Sequence, residues 1–455
     1  MARREAPLQA QRRRTADRIS KKWKIARQNK SPRGLDNQGN NCYRHGALQP
    51  LLHLPRFVNW ILKHKKNGHW PCHAADPNKS LPEDELTQAE IQDTTKHTKI
   101  ELYTGCVPCI LKAFMKAYWG KGDTDVQPPY LPLVLPHHHD SVLPLHQLAE
   151  RWFCRESQDL DIPKGSSRAE RSRLTRDSKR AEMTAQQDAD EFQRQIFGGI
   201  QSSYDHGTAP GQARHAEYDS LFTLTLGEVI ECSQCGNRVP QSNRNDIGLS
   251  LIPRDSTQVP NASDTIIRAI RRALTDTVVG MCDPCGQNTT RNIRLSILAA
   301  PEYLRLTLNL YLPQKNTNPI SIPDILDITP HMAPPAGGHP HDPVRYKLVS
   351  ATYHMGTTNK SGHYTANVTG PRVPPFQPQQ PQFFCDDARI TRNRPTVPPT
   401  NVVTNNPYRR NSSRYDPVIL YYERLPHVLP PLNRKTADQV CVEEVDEIRK
   451  NYGIG

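Results

Sequence analysis

No run of about 18 apolar residues occurs anywhere in the chain, which excludes an ordinary membrane-spanning helix. The first residues are basic but lead into no apolar core, so they lack the pattern of a secretory signal. The chain is therefore expected to be intracellular, in nucleus or cytoplasm. Apolar residues are few overall: 36% hydrophobic content beside 41 prolines is little for one uninterrupted globule. A folded, enzyme-sized body carrying long polar insertions is expected. Acidic residues are scarce at one end. Twelve of the first 33 residues, from Arg3 to Arg33, are Lys or Arg, against Glu5 and Asp17 alone, and they supply much of the net charge of +13. Residues 1–33 thus read as a solvated, disordered basic arm compatible with nuclear import. Nucleic acid is not an expected partner, because only Trp23 interleaves an aromatic ring with those charges.

The 11 cysteines form an odd set in a chain expected to sit in a reducing compartment, so they read as metal ligands or reactive thiols rather than as a disulfide framework. Cys232-Ser-Gln-Cys235-Gly236 and Cys282-Asp-Pro-Cys285-Gly286 are a pair of C-x-x-C units, each followed by glycine. Four thiolates complete a tetrahedral zinc with no position left for a substrate, which makes the expected site structural. The 46 residues between the units exceed the spacing of a compact ribbon and are expected to form a hairpin excursion. Other clusters carry less. His69-Trp70-Pro71-Cys72-His73 has no second ligand pair, Cys106 and Cys109 open an apolar helical stripe, and His137 to His139 lie in a Pro/His run that reads as loop.

One cysteine stands apart. In Gly34-Leu35-Asp36-Asn37-Gln38-Gly39-Asn40-Asn41-Cys42-Tyr43 a Gly/Asn loop delivers Cys42 to the start of an apolar-periodic segment. At a helix N-terminus the unpaired backbone N–H groups favour a thiolate, the nucleophilic form. Read alone, a cysteine so placed is more often a small buried cap of a core helix than a nucleophile. Pro50 lies inside that helix, and a bend is expected after Gln49.

Further along, a charge-rich helix is expected over 166–180, and Asp188 and Glu191 then share a helix face, where adjacent carboxylates call for a cation across them. From Leu221 the pattern turns to strands. Residues 303–312 alternate without a break and put five leucines on one side. His363 follows Ser361-Gly362 at the entry to a strand, and Asp386 and Asp387 end another. A thiol nucleophile needs a base and an orienting group, and these residues are candidates for both roles.

Taken together the blocks resemble the ubiquitin-specific proteases. Gly34 to Tyr43 resembles their cysteine box, with Asn41 where the box has threonine and His45-Gly46 where it has Asn-Ser. Gln187-Asp188-Ala189-Asp190-Glu191-Phe192 resembles their Gln-Asp-x-x-Glu-Phe helix. The four cysteines resemble their zinc fingers, and Tyr346, His354, Gly356 and Gly362-His363-Tyr364, closing with Cys385-Asp386-Asp387, resemble their histidine box. The resemblance runs in order from about 34 to 424. It implies an α+β fold, a papain-like cysteine protease of fingers, palm and thumb: thumb about 34–200, zinc-ribbon fingers about 221–300, palm about 301–424, with a polar tail over 425–455. It further implies cleavage after the C-terminal glycine of ubiquitin. Cys42 is then the nucleophile, His363 the base and acid, Asp386 the orienter, in preference to Asp387, and Asn37 the oxyanion donor. Asp188 and Glu191 face arginines of the ubiquitin tail, and zinc is the structural cofactor of Cys232, Cys235, Cys282 and Cys285. The altered residues beside Cys42 keep a second reading open, a catalytically inactive ubiquitin-binding scaffold.

Overall fold

The computed structural model describes residues 7–22, 32–35, 37, 41–64, 107–119, 130–131, 167, 188–204, 208–260, 262–312, 314–316, 318–334, 342–358, 361–370, 381–393 and 416–426. The His69–His73 cluster, Cys106, His137 to His139, most of the helix expected over 166–180 and the tail beyond 426 lie outside the described residues. The helices are α1 (Pro7–Asp17), α2 (Cys42–Leu52), α3 (Pro55–Leu62), α4 (Val107–Trp119), α5 (Ala189–Gln201), α6 (Ala209–Phe222) and α7 (Ile266–Ala273). The principal strands are β1 (Leu224–Cys232), β2 (Leu249–Leu251), β3 (Thr275–Cys282), β4 (Gln287–Ala299), β5 (Tyr303–Leu308), β6 (Arg345–Thr358), β7 (Ser361–Thr369), β8 (Gln382–Asp386), β9 (Arg389–Asn393) and β10 (Asp416–Arg424).

An eight-stranded sheet runs β9-β8-β7-β6-β10-β5-β2, with Ile325–Asp327 paired to β6. All neighbouring pairs are antiparallel except β5 with β2. Because strand side chains alternate, β5 and β10 feed two cores. Tyr303, Ile419 and Tyr421 enter a helical cluster with Tyr43, Leu51, Trp60, Phe114, Phe197 and Phe222, whereas Leu304, Leu306, Leu420 and Tyr422 enter a second cluster with Leu224, Ile270 and Tyr346. Consequently every residue of β5 is buried, including Arg305, and its alternation separates two interiors rather than an interior from water.

Every residue of α2 is buried too. Pro50 does not end it: the helix runs through Pro50 to Leu52, and α3 starts at Pro55. The physical reason is local. A proline lacks the N–H that would bond four residues back, to the Gly46 carbonyl, and Thr352 of β6 donates its hydroxyl to that carbonyl at 2.7 Å. Gly46 also lets the helix approach the sheet, since a Cβ there would lie 3.1 Å from Tyr364 Cβ and 3.2 Å from Thr352 Cγ2. The nucleophile candidate is thereby seated on β6 and β7.

Two sequence expectations are corrected. The basic arm is not solvated throughout: α1 docks against α6 and β4, with Gln9, Arg12, Ala16 and Ile19 buried. Arg12 donates to the Thr223 carbonyl and, at 2.6 Å, to Thr225 Oγ1, while Gln9 accepts from the Ala300 N–H at 2.6 Å. Lys21 pairs with Glu302 at 2.5 Å and Glu423 at 3.2 Å. The arm's own charge count missed these partners because they come from positions between about 210 and about 400 residues away in the chain. Nor is the segment between the cysteine units a hairpin. It leaves a five-stranded sheet ordered Arg238–Pro240, β1, β4, β3, with Arg244–Asp246 also on β1; it then adds β2 to the edge of the large sheet, forms α7, and returns as β3. The apolar face of α7, Ile266, Ala269 and Ile270, belongs to the second core, which draws the chain away from the cysteines.

Candidate active site

Cys42 is the first residue of α2 and is 3% exposed. His363 enters β7 opposite Met355 of β6. The preceding Gly362 has φ 134°, and a Cβ there would sit 2.0 Å from the Met355 carbonyl oxygen, so only glycine allows the turn that presents the imidazole. His363 Nε2–H donates to Asp386 Oδ1 at 2.6 Å, while Asp387 Oδ2 lies 3.9 Å off. Hydrogen bonding to Asp386, then to the Cys42 side chain, pushes the His363 pKa up to about 10. With Nε2 engaged by Asp386, Nδ1 is the nitrogen left for the thiol. Chain positions more than three hundred apart thus form one relay of sulfur, imidazole and carboxylate.

Asp387 holds the loop before Cys42. Its backbone is left-handed, φ 48°, a conformation Asp tolerates better than most residues. Its Oδ2 accepts from Asn37 Nδ2 at 2.9 Å, its Oδ1 from His45 Nδ1 at 2.6 Å, and its carbonyl from the Leu35 N–H at 2.8 Å. Burial opposes ionisation of this carboxyl, but the bonds from His45 and Asn37 leave its pKa below the ordinary range. Asn37 Oδ1 in turn accepts from the Asn41 N–H at 3.1 Å, so the side-chain amide is held at both ends.

Asp188 is the N-cap of α5. Its Oδ1 accepts from the N–H groups of Asp190 at 2.7 Å and Glu191 at 3.3 Å, and burial together with the Asp190 charge raises its pKa. Glu191 is exposed. The neighbour that neither motif spacing nor charge singled out is Asp190. It takes the buried Arg305 guanidinium, together with Arg194, and despite burial these cations hold its pKa down to about 2. Gln193 is also buried: its Nε2 donates to the Ala47 carbonyl at 2.7 Å, and its Oε1 accepts from Arg305 at 2.9 Å and Tyr421 at 2.8 Å. These bonds pin α5 to α2 and to the large sheet, so the Asp188 end is fixed relative to Cys42. Arg305 could have been noticed as the one cation inside the leucine alternation. Beside His363, His354 is fully buried, hydrogen-bonds through Nδ1 with Tyr311 OH and stacks on Tyr364 with ring centroids 4.2 Å apart; burial draws its pKa down to about 4.

The second constellation lies at the far end of the five-stranded sheet. Cys232 and Cys285 sulfurs are 3.8 Å apart, Cys235 and Cys282 sulfurs 3.7 Å, and all four lie within 4.8 Å of one another. Zn–S bonds of about 2.3 Å in a tetrahedron imply sulfur separations of roughly 3.8 Å, so the donor set fits the ion. Backbone N–H groups, Cys235 foremost, and then the Thr289 hydroxyl lower the Cys232 pKa to about 6, while the neighbouring Cys235 side chain foremost pushes Cys285 up to about 12. Gly236 and Gly286 take the left-handed conformation after each unit, φ 70° and 64°.

A helical layer and a large antiparallel sheet that meet at a thiol, an imidazole and a carboxylate, with a four-cysteine sheet beside them, define the papain-like class of fold with fingers, palm and thumb. The family model described as "Ubiquitin carboxyl-terminal hydrolase" matches residues 33–422, and the chain belongs to that family. It is similar to ubiquitin carboxyl-terminal hydrolase 36 of Drosophila melanogaster, 22% identical over 359 residues, covering 76% of this chain and 27% of that protein. It is also similar to ubiquitin carboxyl-terminal hydrolase 17-like protein B of Mus musculus, 22% identical over 344 residues, 73% of this chain and 55% of that protein. The chain therefore spans about a quarter to about half the length of the curated relatives it matches. Among solved structures it is similar to a chain of the SAGA Ubp8/Sgf11/Sus1/Sgf73 DUB module bound to ubiquitin aldehyde, with TM-score 0.55 and 16% identity, covering 87% of this chain and 70% of that one. That likeness concerns the fold. No helix among the described residues is long and apolar enough to cross a membrane.

Proposed function

We propose that the protein is a thiol-dependent deubiquitinase that hydrolyses the isopeptide or peptide bond after the C-terminal glycine of ubiquitin. The observation that carries the reading is the continuous hydrogen-bonded arrangement of Cys42, His363 and Asp386. The Cys42 thiolate attacks the carbonyl carbon. His363, held as imidazolium by Asp386, gives its proton to the leaving amine, and later takes one from the water that releases the acyl group. Asn37, oriented by Asp387 and the Asn41 N–H, keeps one amide hydrogen for the tetrahedral oxyanion, a contact of the kind worth about 3 kcal/mol. Asp188, with Oδ2 outside its capping bonds, and the exposed Glu191 receive arginines from the ubiquitin tail. The solved relative's complex with ubiquitin aldehyde supports ubiquitin as the partner.

Cys232, Cys235, Cys282 and Cys285 would hold a structural zinc ion, which supplies rigidity to the sheet end and no chemistry at the reacting bond. The catalytic unit spans 34–424, with α1 as a docked extension.

A ubiquitin probe ending in an electrophile tests the reading: it labels Cys42, and Cys42→Ala abolishes labelling. Tight ubiquitin binding without any labelling of the unmodified protein would instead establish the inactive scaffold.

A further inference from the structure

Building on the proposed hydrolase, we infer that His45 is a positioning residue: by donating from Nδ1 to Asp387 it sets the carboxylate that aims the Asn37 amide at the oxyanion. His45 lies three residues after Cys42 in α2, hence on the same helix face, and is 2% exposed. It touches no reacting atom. Its Nδ1 donates to Asp387 Oδ1 at 2.6 Å, and the other oxygen of that carboxylate carries Asn37 Nδ2 at 2.9 Å.

A carboxylate is planar, so fixing Oδ1 fixes the direction in which Oδ2 faces, and with it the amide that hangs from Oδ2. Asp387 needs such a second anchor. It is the only non-glycine residue among the described residues with positive φ, in a tight connection between β8 and β9, and Asp386 beside it is committed to His363. Without His45 the Asp387 carboxylate is free to turn toward His363 Nε2, 3.9 Å away, and release Asn37.

The ring also explains its own protonation. His45 Nε2 is buried with no hydrogen-bond partner among the described residues, and burial lowers the pKa, so the neutral Nδ1–H tautomer is the form that fits. The ring thus uses a single, directed donor.

That asymmetry provides the test. An asparagine amide places its N–H near the Nδ1 position, whereas a glutamine amide reaches toward Nε2, where no acceptor waits. Turnover of a ubiquitin-amide fluorogenic substrate is measured for unmodified protein, His45→Asn, His45→Gln and His45→Ala, with ubiquitin affinity and Tm recorded for each. Expected is kcat within about threefold for His45→Asn and a fall of roughly 10- to 100-fold for His45→Gln and His45→Ala, a fraction of what losing an oxyanion donor outright removes, with KM and ubiquitin affinity unchanged. The fall should not add to that of Asp387→Asn, because both act through one carboxylate. Retained kcat in His45→Gln, or losses that follow Tm and volume so that Asn is worse than Gln, overturns the inference. Full activity of the unmodified protein with an unaffected His45→Ala overturns it alone; absence of turnover in the unmodified protein overturns the hydrolase reading as well.

Discussion

Replacing Asp386 should shift the alkaline edge of activity, and the size of the shift follows from the geometry. A rise of the His363 pKa from 6.5 to about 10 corresponds to on the order of 5 kcal/mol favouring the imidazolium. Asp386 is the largest cause and Cys42 the next. Water reaches a side chain that is 26% exposed, so roughly half of that energy is discounted, and the share left to Asp386 is about 2 kcal/mol. The sign is definite: a raised histidine keeps its proton below its folded value and loses it as pH rises through about 10, so proton donation to the leaving amine fails on the alkaline side. Asp386→Asn is therefore expected to lower kcat roughly 30-fold and to bring the alkaline limb down by about 1.5 pH units. Asp387→Asn, with its nearest carboxylate oxygen 3.9 Å from Nε2, should lower kcat through Asn37 yet move that limb by less than about half a pH unit. The assay is a pH–rate profile with a ubiquitin-amide substrate. If Asp387→Asn moved the limb as far as Asp386→Asn, the assignment of the two aspartates would be refuted.

Metal analysis of purified protein should find one zinc per chain, and Cys235→Ser or Cys285→Ser should lose it and lower Tm by several degrees, since a fourfold site missing one thiolate binds far more weakly. Arg12→Ala leaves the Thr223 carbonyl and Thr225 hydroxyl without their buried donor and should destabilise the fold by about 1–3 kcal/mol in urea unfolding, with kcat unchanged because these bonds tie α1 to the start of β1 and not to Cys42, His363 or Asp386. Asp190, held down to about 2, contributes stabilisation in full above its usual 3.8 and loses it as pH falls through about 2. Asp190→Asn should accordingly cost about 2 kcal/mol at pH 7, a difference that unfolding experiments should find shrinking toward pH 2.

Much of this protein is legible in local sequence because its chemistry depends on residue types at short spacing. The two C-x-x-C-Gly units, the glycine-led approach to Cys42, the Gly362-His363 turn and the paired aspartates each declare a local geometry, and their order along the chain carries the resemblance to a family. The alternation of residues 303–312 declares a strand in the same way. What local pattern cannot express is which distant group answers a given side chain. The excess positive charge of the first 33 residues predicts solvation until Glu302, Glu423 and the Thr223 carbonyl are brought beside Lys21 and Arg12. Pro50 marks a carbonyl left open in α2, but not that Thr352 fills it. Arg305 looks like an exposed residue of a one-sided strand until a second core covers its face and Asp190 meets it. Position in the resembling motif favours Asp386 over Asp387 as orienter, but that a left-handed backbone turns the second carboxylate toward Asn37 and His45 is visible only in three dimensions. Sequence by itself picked out the candidate thiol, imidazole, carboxylates and cysteine donors; the tertiary structure alone decided their partners, since hydrogen bonds and ion pairs form between whatever folding brings within about 3 Å, however far apart the residues stand in the chain.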